Sequence, residues 1–285
     1  MKKDRIQGIL FIISAGLFFS LMTFFVRLAG DLPTMQKAFF RNAVAAVVSV
    51  VMVARSGEGF HIQKSSRGGL AARCLFGTMG LICNFYAIDK LGLADANMLN
   101  KMSPFFAFVT SAVLLKEKPN LVEWAAVVIA FVGAMFIIRP SANIASVYGF
   151  IGLLGGFGAG VAYSFVRKLG QQGERKTVIV MCFSLFSSAV TLPFFVLQYE
   201  PMSWGQTAWL LLAGMSATGG QLCITAAYQK APAKEISVFD YSQIIFAAAL
   251  GLLFLHEIPD MVSVIGYIII IGVAVFKWAY NLKQR

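Results

Sequence analysis

Residues 106–119 read FAFVTSAVLLKEKP, and residues 246–259 read FAAALGLLFLHEIP. At this offset of 140, Phe106, Ala107, Leu115, Glu117 and Pro119 fall on Phe246, Ala247, Leu255, Glu257 and Pro259. The same offset carries Gly16, Phe25, Val26, Arg27 and Gly30 onto Gly156, Phe165, Val166, Arg167 and Gly170. It also carries Thr78, Gly80, Cys83, Ala87 and Lys90 onto Thr218, Gly220, Cys223, Ala227 and Lys230. Matches between apolar residues carry little information because that alphabet is small. One gap-free offset that also joins Arg, Lys, Glu, Cys and Pro reads as a duplication.

The duplicated unit is a set of membrane helices. The chain is 58% hydrophobic and 13% charged, with a mean hydropathy of +0.75, well outside the composition of soluble domains. Apolar runs of about the 20 residues that a bilayer demands fall at 8–27, 34–54, 68–88, 94–115, 121–139, 147–166, 177–198, 205–227, 235–255 and 261–280. A spanning barrel needs short alternating segments, and EWAAVVIAFVGAMFII, residues 123–138, does not alternate. The expectation is an all-α integral membrane protein with ten transmembrane helices. Five fall in residues 1–142 and five in 143–285. An odd number of spans per unit starts the second unit on the opposite side of the membrane, so the repeat is inverted, an arrangement that supports alternating access around a site near the midplane.

The net charge of +11 does not point to nucleic acid, because the cations gather in the loops that an inward N-terminus places in the cytoplasm. Lys2, Lys3, Arg5, Arg55, Lys64, Arg67, Lys116, Lys118, Arg175, Lys176, Lys283 and Arg285 are among them. This bias puts both termini in the cytoplasm; the expected location is a bacterial cytoplasmic (inner) membrane. MKKDR before an apolar run imitates a signal peptide, but without a small-residue cleavage site it reads as the first helix. Cys74, Cys83, Cys182 and Cys223 all lie in spans, which indicates neither a disulfide framework nor a metal site.

An ionisable side chain at the centre of a spanning helix costs roughly 2.5–3.5 kcal/mol, so such residues mark an interior or a cavity. Lys101, Arg41 and Asp240 stand out, with Asn97, Asn100, Tyr241, Gln243 and Tyr163 as polar company. At about 1.5 Å per residue, Lys101 and Arg41 lie roughly 10 Å below the outer surface and Asp240 about as far from the inner one. That leaves cation and anion about 10 Å apart along the normal in a core near 30 Å thick. In one reading the cations take the carboxylate of an amphoteric solute and Asp240 takes its amine. In the other, Lys101 and Asp240 satisfy each other or nearby carbonyls. Pro104 predicts a bend or hinge in the fourth span; Ile244 stands at the matching position in the ninth, so the halves are chemically asymmetric. Stripes such as Gly80, Cys83 and Ala87 read as close helix packing.

The connections are short, so the helices must supply the chemistry. No HExxH, GxSxG or phosphate loop is present, which argues against an enzyme, and no cofactor is expected. The expected partners are a small-molecule substrate, the lipid bilayer and a coupling proton or exchanged solute, with no oligomer required. A transporter of polar or amphoteric metabolites, amino acid or nucleotide-like, fits best; the alternative is a broad exporter of drugs or lipophilic cations, against which Arg41 and Lys101 count.

FFRNAVAAVV (39–48), the run from FYAIDK to FIIRP (85–140) and the run from AAYQKA to VAVF (226–276) resemble the EamA-type members of the drug/metabolite transporter superfamily across essentially the whole chain. The resemblance implies ten helices in two inverted halves and movement of small organic solutes, frequently outward. It also implies that 97–104, 237–243 and Arg41 face the cavity. ADANMLNKMSPFF and EISVFDYSQIIF are similar to a branch associated with S-adenosylmethionine-like substrates. Lys101 departs from the hydroxyl or small residue expected there, in favour of a more anionic ligand.

Overall fold

A computed structural model describes residues 2–91, 93–138, 146–256 and 260–283. It contains helices and no strand among those residues. The elements are α1 Lys2–Leu28, α2 Thr34–Arg55, α3 Arg67–Leu91, α4 Leu93–Asn100, α5 Ser103–Leu114, α6 Leu121–Ile138, α7 Val147–Gln171, α8 Lys176–Leu197, α9 Trp204–Lys230, α10 Ala233–Ile236, α11 Ser242–Leu255 and α12 Met261–Lys283. Short 3-10 turns cover Lys64–Ser66 and Ser237–Tyr241. Helices dominate because a backbone in hydrocarbon must satisfy its own polar groups within the segment.

Eight helical stretches are long and apolar enough to cross a membrane. The expected fourth and fifth spans are shorter. The run at 94–115 is not one helix: it stops at Asn100, turns through Lys101 and Met102, and restarts at Ser103. Pro104 does not kink a continuous helix, as the sequence had suggested. It occupies the first turn of α5, where its missing N–H is harmless, and the break lies just before it. The ninth span, long and apolar enough to cross over Ala233–Leu255, is also irregular, since α10 gives way to the 3-10 turn Ser237–Tyr241 before α11 begins. The two breaks fall at positions related by the 140-residue offset, Lys101 matching Tyr241, although only the first has a proline. The helices after the breaks also end alike, with Lys116 at φ 53° and His256 at φ 55°, the two non-glycine residues with positive φ among those described.

The bundle is apolar outside and polar within. Leu10, Val47, Phe150 and Leu253 face outward, while Ser20, Asn42, Arg73, Ser164 and Gln221 are buried. Outward side chains meet lipid tails, so the hydrophobic effect gives no reason to hide them. The most extensive packing joins α3 to α7, α1 to α9, α2 to α8, α6 to α12, α5 to α7, α2 to α9 and α1 to α11. Exchanging each helix for its repeat equivalent turns this set of pairs into itself except for α2–α9, whose counterpart α3–α8 packs less extensively. Thr110, Ser111 and Ser164 link α5 to α7 through hydroxyls, with Thr110 Oγ1 and Ser164 Oγ 2.5 Å apart. Arg5 Nη1 donates to the Asn281 carbonyl at 2.5 Å, which brings the beginning of α1 and the end of α12 to the same end of the bundle.

Small residues set the closest approaches. A Cβ on Gly80 of α3 would lie 2.8 Å from the Ala159 nitrogen and 2.9 Å from the Gly155 carbonyl oxygen of α7. Both neighbours are backbone and cannot move aside independently. Gly80→Ala is therefore expected to lower stability by about 1–3 kcal/mol. Gly272→Ala in α12, with open space around it, should instead gain about 1 kcal/mol of helix propensity. Thermal unfolding of the two purified variants checks the opposite signs.

Candidate functional site

The breaks at 101–102 and 237–241 are brought together at the centre of the bundle. There Lys101 Nζ donates to Gln243 Oε1 at 2.5 Å and lies 4.0 Å from Asp240 Oδ2. The sequence estimate separated Lys101 and Asp240 by about 10 Å along the normal on the basis of regular helices. Unwinding removes that regularity, and the two side chains meet. Both are nearly buried, at 8% and 5% exposure.

Beside this pair lies a cavity of about 150 Å³. Of the residues singled out from sequence, Arg41, Asn97, Asn100, Lys101, Tyr163, Asp240 and Gln243 line it. Tyr241 does not: it is fully buried, and its hydroxyl donates to the Lys101 carbonyl at 3.1 Å. The break frees that carbonyl from helical pairing, and Tyr241 supplies the missing donor. Tyr241 therefore holds the two broken helices together. Pro104 is buried at the start of α5 and is not among the lining residues. Tyr163 is backed by Tyr228, whose ring stacks on it with centroids 5.0 Å apart.

Arg73 belongs to the site and sequence reasoning passed over it. Its exposure is 2%, its Nη2 donates to Gln221 Oε1 at 3.2 Å, and its guanidinium lies 3.9 Å above the Phe183 ring. Arg73 is only about 9 Å into α3 at 1.5 Å per residue, a depth from which an arginine ordinarily snorkels to the surface. The signal against snorkelling was Gly77 one turn on. A Cβ there would collide with the Arg73 guanidinium, so the glycine lets the side chain run inward along its own helix.

The lining positions run from Arg73 and Gly77 towards Asn84, Phe85 and Asn97, away from the end that holds the start of α1. That end is bound by ion pairs between remote segments. Arg5 Nε meets Glu235 Oε2 at 2.7 Å, Lys230 Nζ meets Asp4 Oδ1 at 3.3 Å, Arg167 Nε meets Glu117 Oε1 at 3.6 Å, Lys277 Nζ meets Glu123 Oε1 at 3.4 Å and Arg175 Nη1 meets Glu58 Oε2 at 3.1 Å. Each of these five pairs joins a residue before 138 to one after 146. Glu117 lies in the connection between α5 and α6, where burial pushes its carboxyl above the ordinary range while Arg167 and Lys234 pull it down. Its pairing with Arg167 accords with a structural role at a helix end. Glu257, its repeat partner, lies outside the described residues.

Known proteins resemble the chain along almost its whole length. The chain matches the EamA-like transporter family over residues 6–139 and again over 147–277. Among curated proteins, the pseudopaline exporter CntI of Pseudomonas aeruginosa is 33% identical over 275 residues, covering 93% of each chain. A riboflavin transporter of Vibrio cholerae is 28% identical and covers 100% of this chain and 98% of its own length. Human solute carrier family 35 member G1 is 23% identical and covers 97% and 81%. A crystal structure superposes with a TM-score of 0.78 over 97% of this chain and 99% of its own at 17% identity, a likeness of fold alone. The chain, a multi-pass membrane protein, belongs to the EamA-like transporter family.

Proposed function

We propose that this protein is a secondary transporter that moves small polar or amphoteric organic metabolites by alternating access. In this reading, residues 1–142 and 143–285 are inverted five-helix halves in a bacterial cytoplasmic membrane, with both termini in the cytoplasm. The observation that carries it is the meeting of two broken helices, one from each half, at a charged cavity inside an apolar bundle. Broken helices place polar groups at membrane depth beside a ligand site in transporters built from inverted repeats. The double match to one family and a helix pairing that maps onto itself in all its most extensive contacts but α2–α9 support the division into halves.

The cavity leads away from the ion-paired end, so the arrangement corresponds to a cytoplasmic gate closed by pairs such as Arg5 with Glu235 and Asp4 with Lys230. Uphill movement draws on exchange or on an ion gradient. The direct test is a thermal-shift screen of the purified protein against amino acids, nucleotides and adenosyl compounds, followed by flux of the hits into proteoliposomes. No ligand-dependent flux in either direction sinks the reading, and selective flux of lipophilic cations replaces it with the exporter alternative.

Gating makes a separate prediction. In a Cys-free background, Asp4→Cys and Lys230→Cys bridged by a short bifunctional thiol reagent should cut flux at least about tenfold, equivalent to about 1.4 kcal/mol on the barrier. Either single cysteine treated alike should leave flux near the untreated rate. Undiminished transport by the bridged protein contradicts opening at this end.

A further inference from the structure

The lining of the central cavity is unbalanced in charge. Arg41, Arg73 and Lys101 face it, and Asp240 is the one carboxylate among the described lining residues. Asp240 lies 4.0 Å from Lys101, which leaves the two guanidinium groups without an anionic partner there. Their Nε atoms are buried with no hydrogen-bond partner, and the bond that Arg73 makes goes to the neutral Gln221. An unanswered buried charge is costly inside a membrane protein. Guanidinium is also the group whose planar fork matches the paired oxygens of carboxylate or phosphate.

Resting on the reading of this cavity as the transport site, we infer that its ligand is a small organic anion of net charge two negative, carrying either two carboxylates, one for each of Arg41 and Arg73, or one phosphate shared between them. An amine on the ligand meets Asp240, which accommodates amino acids with extra acidic groups. A neutral zwitterion leaves one guanidinium unmatched, and a cation meets three like charges. The Lys101–Asp240 pair then serves both states, closed on itself when the cavity is empty and opened when ligand enters.

Equilibrium binding to the purified protein in nanodiscs, at fixed ionic strength, tests the charge assignment without requiring flux. Succinate, aspartate, AMP, alanine and lysine are the probes. Succinate or AMP should bind most tightly, at millimolar or lower concentration, and the preference between them tells carboxylate from phosphate. Aspartate should be weaker, and alanine and lysine should not bind. Arg41→Gln should weaken the preferred anion at least about tenfold, and Arg73→Lys, which keeps the charge but loses the fork, should weaken it less. Alanine or lysine binding as well as the anions overturns the inference, as does failure of both succinate and AMP to bind, or unchanged anion affinity in both variants. Anion binding without any flux in proteoliposomes overturns the transport reading and leaves the charge assignment standing. Flux of a neutral or cationic solute untouched by the anions does the reverse.

Discussion

Lys101→Met is expected to reduce transport at least about 100-fold, a loss of about 2.7 kcal/mol, while the protein still inserts and folds. The ammonium donates to Gln243 and faces Asp240, so its removal strips the cavity of a cation and leaves a buried carboxylate unpaired. The unpaired carboxylate alone carries a stability cost of up to roughly 3–5 kcal/mol, which confuses loss of function with loss of fold. The double variant Lys101→Met, Asp240→Asn separates the two. Removing both charges should return the melting temperature towards that of the parent and leave transport at background. Wild-type flux in the double variant would mean that the pair is only structural, and the midplane charges would lose their place in the mechanism. A double-mutant cycle is the appropriate measurement because the two groups are in contact and their effects cannot add.

Lys277→Met should produce the largest loss of stability. Lys277 and Glu123 are 1% and 3% exposed, with Nζ 3.4 Å from Oε1, and they join α12 to the first turn of α6. Glu123 is further engaged at that helix start, where Oε2 accepts the Asn120 backbone N–H at 2.9 Å. Breaking a buried pair from one side costs about 3–5 kcal/mol because the remaining charge keeps its desolvation penalty. For a chain of this size that corresponds to a fall in melting temperature on the order of 10 °C. Lys277→Met combined with Glu123→Gln should recover at least half of the fall. Equal melting temperatures for the parent and Lys277→Met would show that water or another group answers Glu123.

The sequence by itself determined that this chain is a set of membrane helices with an internal repeat. Span length and composition are local properties, because each segment must meet its own backbone hydrogen bonds inside hydrocarbon. The expense of Lys101, Arg41 and Asp240 was equally local, since insertion cost depends on depth along one helix. Their arrangement was not. Contact between Lys101 and Asp240 required both helices to unwind at equivalent positions, and the ninth span carries no proline to announce it. Tyr241 looked like a cavity residue until the fold turned its hydroxyl onto the Lys101 carbonyl. Arg73 gave no sign of a site role until Gln221 and Phe183 were brought beside it from more than 100 residues away. Only tertiary packing decides which residue answers a buried polar group, because the partner lies on another helix and its approach is set by the glycine-lined contacts between them.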